Sequence, residues 1–105
     1  MPEVRKIIAA LREKLELLYG ARLVHMVLYG SHARGDAEPG SDIDVLVVLR
    51  GDVNPGEEIK RTGGIVSELS LENDVVISCV FVDEHRYLHR NGPLLRNVRR
   101  EGIAA

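Results

Sequence analysis

Apolar side chains recur at helical spacing from the start of the chain. Val4, Ile7, Ile8, Leu11, Leu15 and Leu18 fall on one stripe between Pro2 and Tyr19, with Pro2 suited to a first turn and Gly20 to a C-terminal cap. The spacing predicts an amphipathic helix that covers a sheet. Three short runs rich in Val, Ile and Leu follow: Leu23 to Tyr29, Ile43 to Leu49 and Val75 to Val82. Each is bounded by Gly, Asp or Asn, which predicts strands buried on both faces. Between the second and third, Glu57 to Leu71 carries a weaker helical pattern through Ile59, Ile65, Val66 and Leu69. The adjacent glycines Gly63 and Gly64 cost about 1 kcal/mol each relative to alanine in a helix, so a late start, a break or a kink is expected there. Arg50 to Gly56 reads as a loop, Asp83 to Arg90 as a short helix opened by an acidic cap, and Pro93 to Glu101 as another with Pro93 in its first turn. This alternation predicts an α/β layer structure, with parallel and mixed sheets left open.

Composition narrows the class without naming a function. The chain has 105 residues, enough for a single domain over 1–105, and its 45 % hydrophobic and 29 % charged residues are ordinary globular values. A formal net charge of −2 disfavours a general nucleic-acid binder. The charge is uneven, because five of the fourteen basic residues, Arg86, Arg90, Arg96, Arg99 and Arg100, lie in the last 21 positions with one acid, Glu101. That end is read as a solvated helix face in preference to a dedicated site. A single cysteine, Cys79, excludes an internal disulfide, and no apolar run approaches a membrane span, so a cytoplasmic protein without a membrane partner is expected.

The chemistry gathers where the strands begin and end. The first strand run leads into Gly30-Ser31-His32-Ala33-Arg34-Gly35, and the second opens Ser41-Asp42-Ile43-Asp44. Residues two apart in a strand share a face, so Asp42 and Asp44 project together with Cα atoms about 6–7 Å apart. At about 5 Å and an effective dielectric near 20, two carboxylates repel by about 3 kcal/mol. One of them would take up a proton unless a cation lies between them, and hard oxygen ligands suit Mg²⁺. Gly30 lets the chain pass close to a ligand, and Ser31 offers a hydroxyl and neighbouring amides to a phosphate. Asp74, just before the third strand run, is expected to come level with the pair as a general base or further metal ligand. Gly30-Ser31, Asp42 and Asp74 each have a bland reading as turn residues, whereas Asp44 inside an apolar strand is harder to dismiss because buried unpaired charge is costly. The combination Gly-Ser-x10-Asp-x-Asp arises by chance on the order of one time in a thousand in a chain this long.

These residues resemble the signature of the DNA polymerase β-like nucleotidyltransferase superfamily, and in particular its minimal nucleotidyltransferases, over essentially the whole chain. The resemblance implies a polymerase β palm-like core with a small mixed sheet covered by helices. It also implies transfer of a nucleoside monophosphate from a nucleoside triphosphate to a hydroxyl, with two Mg²⁺ ions and ATP as substrate. Members of this type commonly serve as antitoxins beside an all-helical HEPN toxin protein, adenylylating a tyrosine of that partner or binding it. Carried onto this chain, the resemblance assigns Gly30 and Ser31 to phosphate, Asp42 and Asp44 to metal and catalysis, and Asp74 less securely to the third carboxylate. Arg34 is read as neutralising phosphate or as bridging to a carboxylate such as Asp36.

The alternative is a non-catalytic antitoxin that neutralises a partner by complex formation, and a homo-oligomer is left open. Transfer to a small antibiotic-like alcohol is the weaker third reading, since little chain remains to build a pocket for it. Four other side chains are read without a role. His32 is expected to be an exposed spectator, His25 a satisfied core histidine, and His85 and His89 a pair lacking a third zinc ligand. Cys79 is expected to be inert core.

Overall fold

The structure is a computed structural model that describes residues 3–105. Among the described residues five α-helices and four strands occur in the order α1 (Val4–Tyr19), β1 (Leu23–Tyr29), α2 (Ser31–Arg34), β2 (Ile43–Leu49), α3 (Pro55–Asn73), β3 (Ile77–Asp83), α4 (Glu84–His89), α5 (Pro93–Glu101) and β4 (Ile103–Ala104), with a 3-10 turn at Gly20–Arg22 between α1 and β1. The expected first-turn role of Pro2 lies outside the described residues.

The sheet is mixed, with strand order β3-β2-β1-β4. β1 runs antiparallel to β2 and to β4, and β2 runs parallel to β3, with Ile43 opposite Ile77 and Asp44 opposite Ser78. β2 is therefore central, and from Val45 to Leu49 its residues are fully buried. Alternation sorts them into two cores. Ile43, Val45, Val47 and Leu49 pack with Ile7, Ile8, Leu11 and Leu15 of α1 and Leu69 of α3, while Leu46 and Val48 pack with Leu95 and Val98 of α5. A sheet covered on both faces is what the near-continuous apolar runs predicted.

Three local expectations are corrected. Tyr19 belongs to the buried stripe of α1, whereas Leu18 is 42 % exposed. α3 runs unbroken through Gly63 and Gly64, and it starts at Pro55, inside the stretch read as a loop. Its start is fixed by the Asn54 side chain, which accepts from the Glu57 amide at 3.3 Å, with Pro55 in the first turn. Burial of Glu58, Thr62 and Leu69 then outweighs the propensity cost of two glycines. The strand after α3 begins at Ile77, two residues later than its apolar run, because Asp74 takes a left-handed cap conformation (φ 50°) that carries the chain off the helix. α4 and α5 fall where expected, and the Asp83 carboxylate caps α4 by accepting from the Arg86 amide at 2.8 Å.

β4 has no counterpart in the pattern reading, since two residues are too few for a periodicity. It zips onto β1 through Ile103 opposite Leu28 and Ala104 opposite Val27, followed by a hydrogen bond from the Ala105 amide to the Met26 carbonyl at 2.8 Å.

Candidate active site

The site forms where β1 ends, β2 begins and the last turn of α5 arrives. Gly30 turns the chain out of β1 with φ 74°, a conformation glycine alone adopts without strain. A second requirement falls on the same residue, because a Cβ at position 30 would collide with Asp44 Oδ2. The missing side chain thus lets the motif turn lie directly against a β2 carboxylate. The turn continues as α2, whose Ala33 and Arg34 amides return to the Gly30 carbonyl at 3.1 and 3.0 Å. The amides of Ser31 and His32, which precede them, make no hydrogen bond to protein among the described residues.

Asp44 lies on the α5 side of the sheet, in one row with Tyr29 of β1 and Ser78 of β3. Its carboxyl is held above the usual range, first by burial and then by repulsion from Asp42, with His32 and Arg34 pulling the other way. Two carboxylates crowded at one strand end have that signature. The same surroundings raise the Tyr29 hydroxyl, chiefly through burial and then through the Asp44 charge.

The structure separates Asp74 from this pair. In the parallel register Ile43 stands opposite Ile77 and its amide donates to the Val76 carbonyl at 2.8 Å, so Val76 is level with Asp42 and Ser78 with Asp44. Asp74 lies before the strand, exposed at the end of α3. Among the described residues no group of three or more His, Cys, Asp or Glu side chains is placed to hold a metal. Asp74 instead lines an open groove of about 1170 Å³ between α3, β3 and the loop before β2, together with His32, Ser41, Val76 and Ser78.

Arg34 is engaged rather than free. Its Nε donates to Asp36 Oδ2 at 3.1 Å, and its Nη1 to both carboxylate oxygens of Glu101 at 3.1 and 3.2 Å. Glu101 also accepts from the Gly30 amide at 3.3 Å, so a residue without a role in the sequence reading reaches the centre of the motif. His32 is no exposed spectator either, since its Nε2 lies 3.1 Å from the Ser41 carbonyl and ties α2 to the residue before Asp42. His25 is exposed rather than buried, with its ring 5.5 Å from that of Tyr87. The His85 and His89 rings lie 4.6 Å apart, tilted by 46°, and belong to no metal-binding group among the described residues. Burial pushes the Cys79 thiol up to about 11, which keeps it protonated and unreactive at neutral pH.

Mg²⁺ fits the donor set. Asp42 and Asp44 supply two hard oxygen ligands whose mutual repulsion a divalent cation would relieve, and Mg²⁺ typically takes only one or two protein carboxylates and completes its shell with phosphate and water.

Comparison with known proteins points the same way as the geometry. Residues 4–102 match the nucleotidyltransferase domain family. Two proteins of Methanocaldococcus jannaschii, each named "Putative protein adenylyltransferase", are similar. One is 34 % identical over 94 % of this chain and 90 % of its own length, the other 32 % identical over 72 % and 76 %. A crystal structure of a toxin–antitoxin with AMP-PNP superposes with a TM-score of 0.63 at 19 % identity, covering 90 % of this chain and 68 % of that one. With a glycine turn packed on paired strand carboxylates and a match across nearly its whole length, the chain belongs to the nucleotidyltransferase domain family.

Proposed function

We propose that this nucleotidyltransferase uses Mg²⁺ to transfer AMP from ATP to a protein hydroxyl, a tyrosine of a helical HEPN toxin partner, with release of pyrophosphate, and so acts as an antitoxin. The observation that carries this reading is the Asp44 carboxylate beside Asp42, packed directly against the Gly30 turn, where a Cβ would collide with it. A pure binding module has no reason to hold two repelling carboxylates together. The adenylyl group and the protein acceptor are supported by the names of the two archaeal relatives, and the toxin partner by the toxin–antitoxin of similar fold.

Asp42 and Asp44 would hold the cation, which when bound neutralises the phosphate charge and polarises the reacting phosphorus. The remaining work falls to this chain's own groups. Ser31, and the Ser31 and His32 amides that make no hydrogen bond to protein among the described residues, lie on the turn packed against Asp44 and suit the triphosphate tail. Arg34, held between Asp36 and Glu101, contributes positive charge beside the turn. Asp74 faces the groove and is assigned to the acceptor side, as a group that can receive a hydroxyl proton.

The test is incubation with ATP labelled at the α-phosphate, Mg²⁺ and a purified helical protein of the HEPN type from the same organism. Label should appear on a tyrosine of the partner, and neither Asp42→Asn nor Asp44→Asn should transfer it. Inhibition of the toxin by both variants as fully as by the parent chain, with no label transferred, would leave the binding-module reading in its place.

A further inference from the structure

The residue that joins the C-terminal end of the fold to the motif is Glu101. Continuing the antiparallel pairing of β1 with β4 from Leu28 and Ile103 by two steps brings position 101 opposite Gly30. The backbone ladder cannot reach that far, because Glu101 is the last residue of α5. Its side chain takes over, with Oε1 accepting from the Gly30 amide at 3.3 Å. The carboxylate is only 15 % exposed, and its second contact, to Arg34 Nη1, reaches the far end of α2. One acidic group therefore spans the turn from its entry at Gly30 to its exit at Arg34. The next residue explains how it is delivered, since a Cβ at Gly102 would collide with Val27 and the Val98 carbonyl, so α5 ends pressed against β1.

From this we infer that Glu101 is a positioning residue for nucleotide binding: its carboxylate holds the Gly30 amide and keeps the Gly30–Ser31 turn against Asp44. The inference rests on the nucleotidyltransferase reading and deepens it. Gly30 is the most permissive residue in the turn, so without an anchor the unused Ser31 and His32 amides lose their fixed direction relative to the carboxylate pair. The amide contact carries this role and the charge pair with Arg34 assists it, because an exposed arginine contributes little by itself.

Three variants separate the parts. Glu101→Gln keeps an acceptor for the Gly30 amide, Glu101→Met keeps the volume without one, and Arg34→Met removes only the charge partner. Two readings are taken on each: hydrogen exchange of the Gly30 amide by NMR, and calorimetric binding of AMP-PNP in Mg²⁺. In Glu101→Met, Gly30 exchange should quicken and binding weaken by about tenfold to a hundredfold, the loss expected for a hydrogen bond to a charged group. Glu101→Gln should restore both to within about threefold, and Arg34→Met should leave the Gly30 amide protected. Parental binding by Glu101→Met, or a Gly30 amide as exposed by Arg34→Met as by Glu101→Met, would overturn the inference. Should Glu101→Met fail to fold, the parent chain decides, since rapid Gly30 exchange there contradicts the clamp. If the parent binds no nucleotide while its Gly30 amide is protected and Glu101→Met exposes it, the functional reading falls and the clamp stands.

Discussion

Two acidic side chains, Glu58 and Asp44, stand on opposite faces of the same sheet and live by opposite rules. Glu58 is the more buried, at 3 % exposure, yet it is fully answered: the Tyr19 hydroxyl donates to it at 2.7 Å and Arg61 at 2.8 Å. Its charge pins α1 to α3, and burial together with that hydrogen bond raises the Tyr19 hydroxyl well above its ordinary range. Asp44 is half-buried and is answered by another carboxylate. The lesson is that depth does not separate a structural charge from a functional one. What separates them is whether the fold itself supplies the counter-charge.

The largest effects should break the molecule in two different ways. Asp42→Asn or Asp44→Asn should cut AMP transfer by at least about a hundredfold, about 3 kcal/mol of transition-state stabilisation, in a labelled-nucleotide assay. Neither should lower the melting temperature. Glu58→Ala should do the reverse, removing about 2–3 kcal/mol of stability in urea unfolding by stranding the Tyr19 hydroxyl and Arg61, with Glu58→Gln costing less. If Asp44→Asn unfolds the chain and Glu58→Ala spares it, the comparison is wrong.

A smaller effect follows from the sign of the Asp44 shift. Its native carboxyl binds the proton more tightly than the unfolded chain does, so ionising it costs stability as the pH rises through the raised native value. At neutral pH and without divalent cation, Asp44→Asn should therefore melt a few degrees above the parent chain. That advantage should shrink as the pH falls and the parent's Asp44 takes up its proton. Mg²⁺ should raise the melting temperature of the parent and leave the variant unmoved, which scanning calorimetry can read.

Next comes Asp74. Set apart from the pair in the β2–β3 register, it should lower transfer far less than Asp42 or Asp44 when changed to Asn, by about tenfold, about 1.4 kcal/mol, with Mg²⁺-dependent nucleotide binding unchanged. A loss of Mg²⁺ binding in Asp74→Asn would restore it to the metal. The smallest effect is expected at Gly64, where a Cβ meets open space, so Gly64→Ala should stabilise α3 by about 0.5–1 kcal/mol.

Much of this was legible in residue order. The helical stripe of α1, the three long strands, the cap at Asp83, the first-turn Pro93 and the nearness of Asp42 to Asp44 all express local spacing, which sequence carries directly. The misses share a cause, which is that tertiary contact overrode or exceeded the local signal. α3 survives Gly63 and Gly64 because Glu58, Thr62 and Leu69 are buried on either side of them. His25 is exposed although it shares a sheet face with the buried Val27, and its ring lies against that of Tyr87. Asp74 looked level with the pair because the cap that delays β3 leaves no mark in the pattern. Glu101 was invisible because its partner lies 71 positions away, and only its place as the lone acid among the terminal arginines set it apart.

We propose that Asp42 and Asp44 form a cation-dependent nucleotide site. Calorimetric titration of AMP-PNP into the parent chain, with and without Mg²⁺, and into Asp44→Asn tests it most directly. Binding should require Mg²⁺ and vanish in the variant. Equal binding in the absence of divalent cation, or undiminished binding by Asp44→Asn, would contradict it.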